Sequence, residues 1–409
     1  MNAIRALEER LGRYPPGRYP VQHATAQFHL GLALTEAGRL DEAETALTTA
    51  AGLFPPDRLQ VEHAKATNAL GVVFRLAGRP EAAATAFRKA AALFEAAGLT
   101  VEQGAALFNL GLVQRELGDT QAAVGCFEEA RARLDPDRVP IEAAAAAREL
   151  GAALLVGGEL DAARAALEAA MELAGRAGDQ AGLGAAANIL GLAQLAGDLP
   201  EQAVEAFRSA VAGHPRSLRP EEYAMAKANL ALAYERAGDR PRARLTAGQA
   251  VSVAGAAAPV LAQARAILDR LGDQPGTLLQ VLDLEVPERW LPILREELAR
   301  WVAADPVVRV AEAGAMVDGV LARPAAAQDL AEAWLAALLE LPPEEMTGLI
   351  RAALQAVRER DATSAGRLRS VVTRAMARFP IPQWTRLEHT FAHVAAGLGL
   401  DGSWRSTKT

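Results

Sequence analysis

Two histidines stand four residues apart in Glu388-His389-Thr390-Phe391-Ala392-His393. On a helix that spacing puts both imidazoles on one face, where a pair can chelate a metal. The glutamate precedes the first histidine, against the zincin order, and no third ligand is identifiable. His389 and His393 are therefore expected to form an ordinary polar face with no metal. Arg351, Arg358, Arg360, Arg367, Arg369, Arg374 and Arg378 outnumber Glu359 and Asp361 over two adjacent helices. Without interleaved aromatics such a run reads as a solvated face rather than an anion or nucleic-acid surface. Cys126 has Glu128 and Glu129 close by, and a reactive thiol needs a cationic neighbourhood. His23 and His63 recur at a fixed step, which marks them as structural. The chain has no glycine-rich phosphate loop, nucleophile elbow or paired-carboxylate motif. Neither catalysis nor a cofactor is expected.

The elements that would position these residues are helices throughout. Of 409 residues 51% are hydrophobic, ample for a buried core, and the formal net charge of −7 lacks the basic footprint of a nucleic-acid scaffold. One cysteine excludes an intrachain disulfide framework and suits a reducing compartment. No signal peptide or membrane-spanning run is apparent, so a cytoplasmic protein is expected.

One dipeptide orders two thirds of the chain. Leu30-Gly31, Leu70-Gly71, Leu110-Gly111, Leu150-Gly151, Leu190-Gly191 and Leu230-Ala231 recur every 40 residues. Ala43, Ala83, Ala123, Ala163, Ala203 and Ala243 keep the same step, as do Ala50 and its five successors. Between these alanines lies Leu47, Phe87, Phe127, Leu167 or Phe207, and Ala247 in the sixth copy. A repeat of this period signifies stacked supersecondary units. Within each, the pattern runs from Leu-Gly to a glycine (Gly38, Gly78, Gly118, Gly158, Gly197, Gly238), expected to be the left-handed end of a first helix. Apolar residues at i, i+4 and i+7 then mark one face of a second. The fifth copy reads as one residue short before Gly197, with the residue restored over Asp198–Pro200. A glycine inside a helix costs roughly 1 kcal/mol against alanine, so five of them imply a close approach from outside.

Leu-Gly in the first helix and Ala, a large apolar residue and Ala in the second resemble the tetratricopeptide repeat family, in a long-repeat variety common in bacterial scaffold proteins. The extra residues precede the first helix, where Tyr14-Pro15-Pro16-Gly17-Arg18 and Phe54-Pro55-Pro56-Asp57-Arg58 align. The resemblance implies an all-α fold, a right-handed α-α superhelix: a solenoid of six repeats plus capping helices, followed by a smaller all-helical domain. It also implies that the first helix of each repeat lines a concave groove that receives a peptide or a partner protein. Carried onto this chain, the partner-binding positions are Phe28, Asn68, Arg75, Phe108, Arg115, Arg148 and Asn188, with Leu32, Val72 and Thr35 beside them. The Lys-Asn pair of the family's carboxylate clamp is missing, since Phe28 and Leu32 occupy the matching sites.

Residues 1–275 are thus expected to form the solenoid, 276–402 a C-terminal helical domain, and 403–409 a flexible tail. All five tryptophans fall beyond the boundary. Asp305-Pro306 and Pro342-Pro343 signal helix starts, and five or six helices joined by short turns should pack mostly antiparallel. This part resembles no known family. The functional expectation is a non-enzymatic interaction scaffold for a protein or peptide, with no membrane or nucleic-acid partner, whose Trp-bearing domain supplies a second contact to another partner or to itself. The alternative is a ligand-responsive regulator with the C-terminal helices as its output.

Overall fold

Every 40-residue step folds into a helix pair, because its apolar residues recur at helical spacing and a glycine or proline punctuates each end. The structure, a computed structural model, describes residues 2–272, 276–400 and Trp404. After α1 (Asn2–Arg13) come α2 (Pro20–Glu36) with α3 (Leu40–Leu53), α4 (Gln60–Leu76) with α5 (Pro80–Ala96), and α6 (Thr100–Glu116) with α7 (Thr120–Arg133). Next are α8 (Pro140–Val156) with α9 (Leu160–Ala177), α10 (Gln180–Ala196) with α11 (Pro200–Gly213), and α12 (Pro220–Arg236) with α13 (Arg240–Val251). No strand occurs among the described residues, and the fold is all-α with the stacked helix pairs of a solenoid. Contacts divide the chain into two units, Met1–His214 and Pro215–Thr409, so α12 and α13 group with the helices that follow them.

The lattice glycines sit where the second helix of the same pair thrusts its largest side chain. A Cβ on Gly31, Gly71, Gly111, Gly151 or Gly191 would fall within 2.7 Å of Leu47, Phe87, Phe127, Leu167 or Phe207 respectively. Those five large side chains are fully buried. The sixth pair divides the volume differently, with Ala231 and Ala247 both buried in one core cluster. The α1 helix caps this first unit by laying Ile4, Leu7 and Leu11 on the core of the first pair.

One expectation is corrected. Gly38, Gly78, Gly118, Gly158 and Gly238 have φ between 69° and 80°, as a left-handed helix end requires. Gly197 does not: its φ is −87°, and the left-handed residue is Asp198 at φ 57°. No residue is missing from the fifth copy. Asp198 occupies the lattice position that glycine holds elsewhere, and Gly197 is an ordinary helix-end residue. An L side chain there costs about 1 kcal/mol, although Asp tolerates the region better than most. Asp198→Gly should therefore raise the stability of the first unit by about 0.5–1 kcal/mol. Urea unfolding followed by far-ultraviolet circular dichroism checks this, and a loss of stability would contradict it.

Two kinds of connection join successive pairs. After α3, α7 and α11, each 14 residues long, the chain leaves the helix at Phe54, Leu134 or His214 and makes a short turn. After α5 and α9, of 17 and 18 residues, the helix continues for another turn and ends at left-handed Gly98 or Gly178. The two kinds alternate from residue 54 onward, at equal total length.

In the second unit, α14 (Ala258–Leu271) covers the sixth pair through Ala264 and Ile267. Then follow α15 (Thr277–Leu282), a 3-10 turn at Pro287–Arg289, α16 (Trp290–Ala303), α17 (Pro306–Ala322), α18 (Ala327–Leu339), α19 (Pro343–Arg358), α20 (Ala362–Met376) and α21 (Ile381–Gly397). Asp305 caps α17 by accepting from the Val307 amide, and Pro343 opens α19, as expected. The packing differs from the antiparallel neighbours anticipated. Helices two apart lie side by side (α16 with α18, α17 with α19, α18 with α20, α19 with α21), while consecutive ones meet little. Trp290, Trp301 and Trp334 are buried in the shared core. Of the tail placed at 403–409 only Trp404 lies among the described residues; its indole is buried and stacks on Phe391 at 5.7 Å. Residues 273–275 of the expected boundary also lie outside the described residues.

The C-terminal helices dock on α13. Leu245 joins their core, at a position filled by Thr45, Thr85, Gly125, Ala165 and Glu205 in earlier copies. A buried polar chain runs beside it. Lys227 Nζ donates to Gln249 Oε1 at 2.8 Å and to Glu296 Oε2 at 2.6 Å, and Gln249 Nε2 donates to Glu297 Oε1 at 2.9 Å. Arg300 then bridges Glu297 (2.8 Å) and Glu312 (2.7 Å). Burial, reinforced by Glu296, pushes the Tyr223 phenol beside Lys227 above its ordinary pKa.

Candidate functional site

The first helices of the first three pairs, α2, α4 and α6, enclose an open depression of about 280 Å³. Helical spacing explains its lining: Lys65, Asn68, Ala69 and Val72 fall at i, i+3, i+4 and i+7 on α4. Phe28, Leu32 and Thr35 supply the wall on α2, and Glu102 and Ala105 the wall on α6, with buried Phe94 beneath. The floor is apolar and carries one polar anomaly. The Asn68 Oδ1 atom is buried without a hydrogen-bond partner. Such an acceptor costs about 1–3 kcal/mol, and an orphan of this kind in a cavity needs an explanation.

Two of the anticipated groove residues, Phe28 and Asn68, thus meet in one cavity, together with Leu32, Val72 and Thr35. The others lie elsewhere. Phe108 is half-buried and packs its ring on Phe127 at 5.8 Å. Asn188 is buried. Arg115 and Arg148 both hold the buried Glu149 carboxylate, Arg148 at 3.0 Å, and Arg75 lies 3.6 Å from Glu116. The three arginines are accordingly engaged by carboxylates of their own chain. Lys65 and Ala105 lie three residues before Asn68 and Phe108, one helical turn outside the positions chosen from the sequence. Extending the face by that turn would have found both.

The remaining chemical candidates have ordinary settings. His23 Nδ1 lies 2.7 Å from the Tyr14 carbonyl and His63 Nδ1 2.9 Å from the Ala51 carbonyl, so each ties its helix to the segment before it. Burial, then the charge of Glu129, pushes the Cys126 thiol above its usual range, the reverse of what a nucleophile needs. His389 and His393 are both exposed. No cluster of three or more His, Cys, Asp or Glu suited to a metal occurs among the described residues. No helix among them is long and apolar enough to cross a membrane.

Comparison with known proteins agrees with the geometry. Tetratricopeptide-repeat family models match residues 62–135 in one case, and residues 1–58 and 108–181 in another. Among solved structures, the pilF protein of Pseudomonas aeruginosa is 19% identical, covers 60% of this chain and 97% of its own, and superposes with a TM-score of 0.46. The Cut9–Hcn1 hetero-tetramer of APC/C is 17% identical over 66% of this chain and 46% of its own, with a TM-score of 0.47. YrrB, described as a repeat protein of this kind with an unusual peptide-binding site, is 19% identical over 54% of this chain and 95% of its own, with a TM-score of 0.38. No curated protein matches the chain. Helix pairs on a 40-residue step, together with family models that cover residues 1–181 except 59–61, identify tetratricopeptide repeats in this part of the chain.

Proposed function

We propose that this chain is a non-enzymatic interaction scaffold that binds an extended peptide segment of a partner protein in the depression between α2, α4 and α6. The observation that carries this reading is the open depression itself, apolar over Phe28, Leu32, Ala69 and Val72 and bordered by Asn68, whose side-chain oxygen is left without a partner. A large apolar side chain of the peptide fills the space beside Phe28, Leu32 and Val72, and rotation of the Asn68 side chain toward the depression pairs its amide oxygen with a peptide N–H. Lys65 and Glu102, of opposite charge on α4 and α6, supply polar edges that set orientation rather than affinity. Affinity comes from the few anchors that are fully desolvated.

The test uses a displayed library of random peptides selected against the full chain, with Phe28→Ser and Asn68→Leu variants in parallel. Selected peptides should bind wild type saturably and lose about tenfold or more in affinity with either variant, the worth of one buried hydrogen bond or anchor. Asn68→Leu should meanwhile raise the stability of the free protein by about 1 kcal/mol, because it removes an unsatisfied acceptor. Peptides that bind both variants as well as wild type would refute the assignment.

A further inference from the structure

The arginines of α20 present more than a solvated face. Arg367, Val371 and Arg374 lie on one side of the helix at steps of four and three residues, and Arg378 follows one turn later. That side borders two adjoining depressions of about 210 and 360 Å³. Arg367, Ser370 and Arg374 line the smaller on α20, and Val320, Leu321 and Pro324 form its opposite wall. Arg374 lines both.

The charges around this cleft do not balance. Arg378 is engaged by Glu332 at 2.7 Å and Asp329 at 3.3 Å. Among the described residues, Arg374 donates only from Nε, to the Ser370 carbonyl at 3.1 Å, and Arg367 only from Nη2, to the Leu321 carbonyl at 3.3 Å. Neither has a carboxylate within ion-pair distance there, and both terminal nitrogens of Arg374 are unengaged. Of the nearby arginines, Arg323 is paired with Asp283 and Arg360 with Asp318, while Arg309 and Arg386 are satisfied by two or more backbone carbonyls each. Two uncompensated guanidiniums face one cavity whose far wall is apolar.

We infer that this cleft binds a phosphate monoester with an apolar body. Arg367 and Arg374 hold the phosphoryl oxygens through their planar forks, Ser370 Oγ adds a hydroxyl donor, and Val320, Leu321 and Pro324 receive the body. A dianion suits this site better than a carboxylate, since two positive charges are left over.

Isothermal titration of the full chain with phenyl phosphate and with inorganic phosphate, at fixed ionic strength, tests the proposal. Phenyl phosphate should bind saturably at one site and more tightly than inorganic phosphate. R374Q and R367Q should each weaken it about tenfold or more, while R351Q, which removes an equal charge from an exposed position on α19, leaves it unchanged. Tryptophan emission matching wild type certifies that each variant is folded. Absence of saturable binding, or equal weakening by R351Q and R374Q, would overturn the site. Inorganic phosphate binding as tightly as the ester would overturn the role of the apolar wall.

Discussion

Arg300→Met should lower the stability of the second unit by about 3–5 kcal/mol, the cost of breaking a buried ion pair from one side. Arg300 is the only cation within ion-pair distance of Glu297 and Glu312 among the described residues, and Glu297 has no exposed surface. Methionine keeps the packing of the stem but abandons both carboxylates in a medium that solvates them poorly. Burial pushes the Glu297 carboxyl above its ordinary pKa, and the guanidinium pulls it back. In the variant the upward push is opposed only by the Gln249 hydrogen bond. A carboxyl whose folded pKa exceeds its unfolded one takes up a proton on folding, so stability falls as pH rises through the folded value. The deficit of the variant should therefore be largest at neutral pH and narrow on acidification toward the ordinary carboxylate range. All five tryptophans lie beyond residue 276, so urea unfolding followed by tryptophan emission reads this unit alone. Arg295→Met, which breaks the exposed pair with Glu340, is the control and should cost no more than about 1 kcal/mol. Similar losses in the two variants, or a deficit independent of pH, would show that Glu297 and Glu312 find compensation elsewhere.

Phe87→Ala should cost the first unit about 3–5 kcal/mol, since the ring is fully buried and its removal leaves a cavity. Gly71→Ala should cost less, about 1–3 kcal/mol, because its new Cβ lands 2.7 Å from that ring and forces it aside. The double variant is the informative one. It reproduces the Ala231–Ala247 arrangement of the sixth pair, in which a methyl on each helix replaces a ring against bare backbone. The methyl introduced at position 71 fills part of the space that Phe87 vacates, and the overpacking disappears. The double variant should therefore be more stable than the sum of the two single changes allows, by at least about 1 kcal/mol. Circular dichroism during urea unfolding measures all three. Strict additivity would mean that glycine and ring are not matched to each other.

The helix pairs were legible because a 40-residue step overdetermines them: at each lattice position six residues speak to the same contact. The one misreading within the lattice, at Gly197, arose where two residues could serve as the left-handed helix end and glycine is the ordinary choice. Only backbone geometry shows that Asp198 takes it. The second unit offered no such redundancy. Its helix starts at Asp305-Pro306 and Pro342-Pro343 are local chemistry and were readable, whereas the pairing of helices two apart depends on how separate apolar faces find one another. The docking of the C-terminal helices left a faint mark in Leu245, an apolar residue where earlier copies carry a small or polar one. Of the candidate groove, Phe28 and Asn68 were legible from lattice position. The engagement of Arg115 by Glu149 was not, because it depends on side-chain reach from α6 to α8.

The alternation of two connections has a consequence for how such a gene can change length. A short helix and turn at residue 54, a long helix ending at Gly98, and the short form again at residue 134 make the true period of the backbone 80 residues from that point onward. Unequal recombination that inserts or removes 80 residues joins unlike connections and preserves the sequence of turns. A 40-residue slip sets two connections of the same kind in succession, although every lattice contact survives. The turns at Tyr14 and Phe54 are both of the short kind, so it is only beyond residue 54 that the double repeat is the cassette, and length gained or lost there should come two helix pairs at a time.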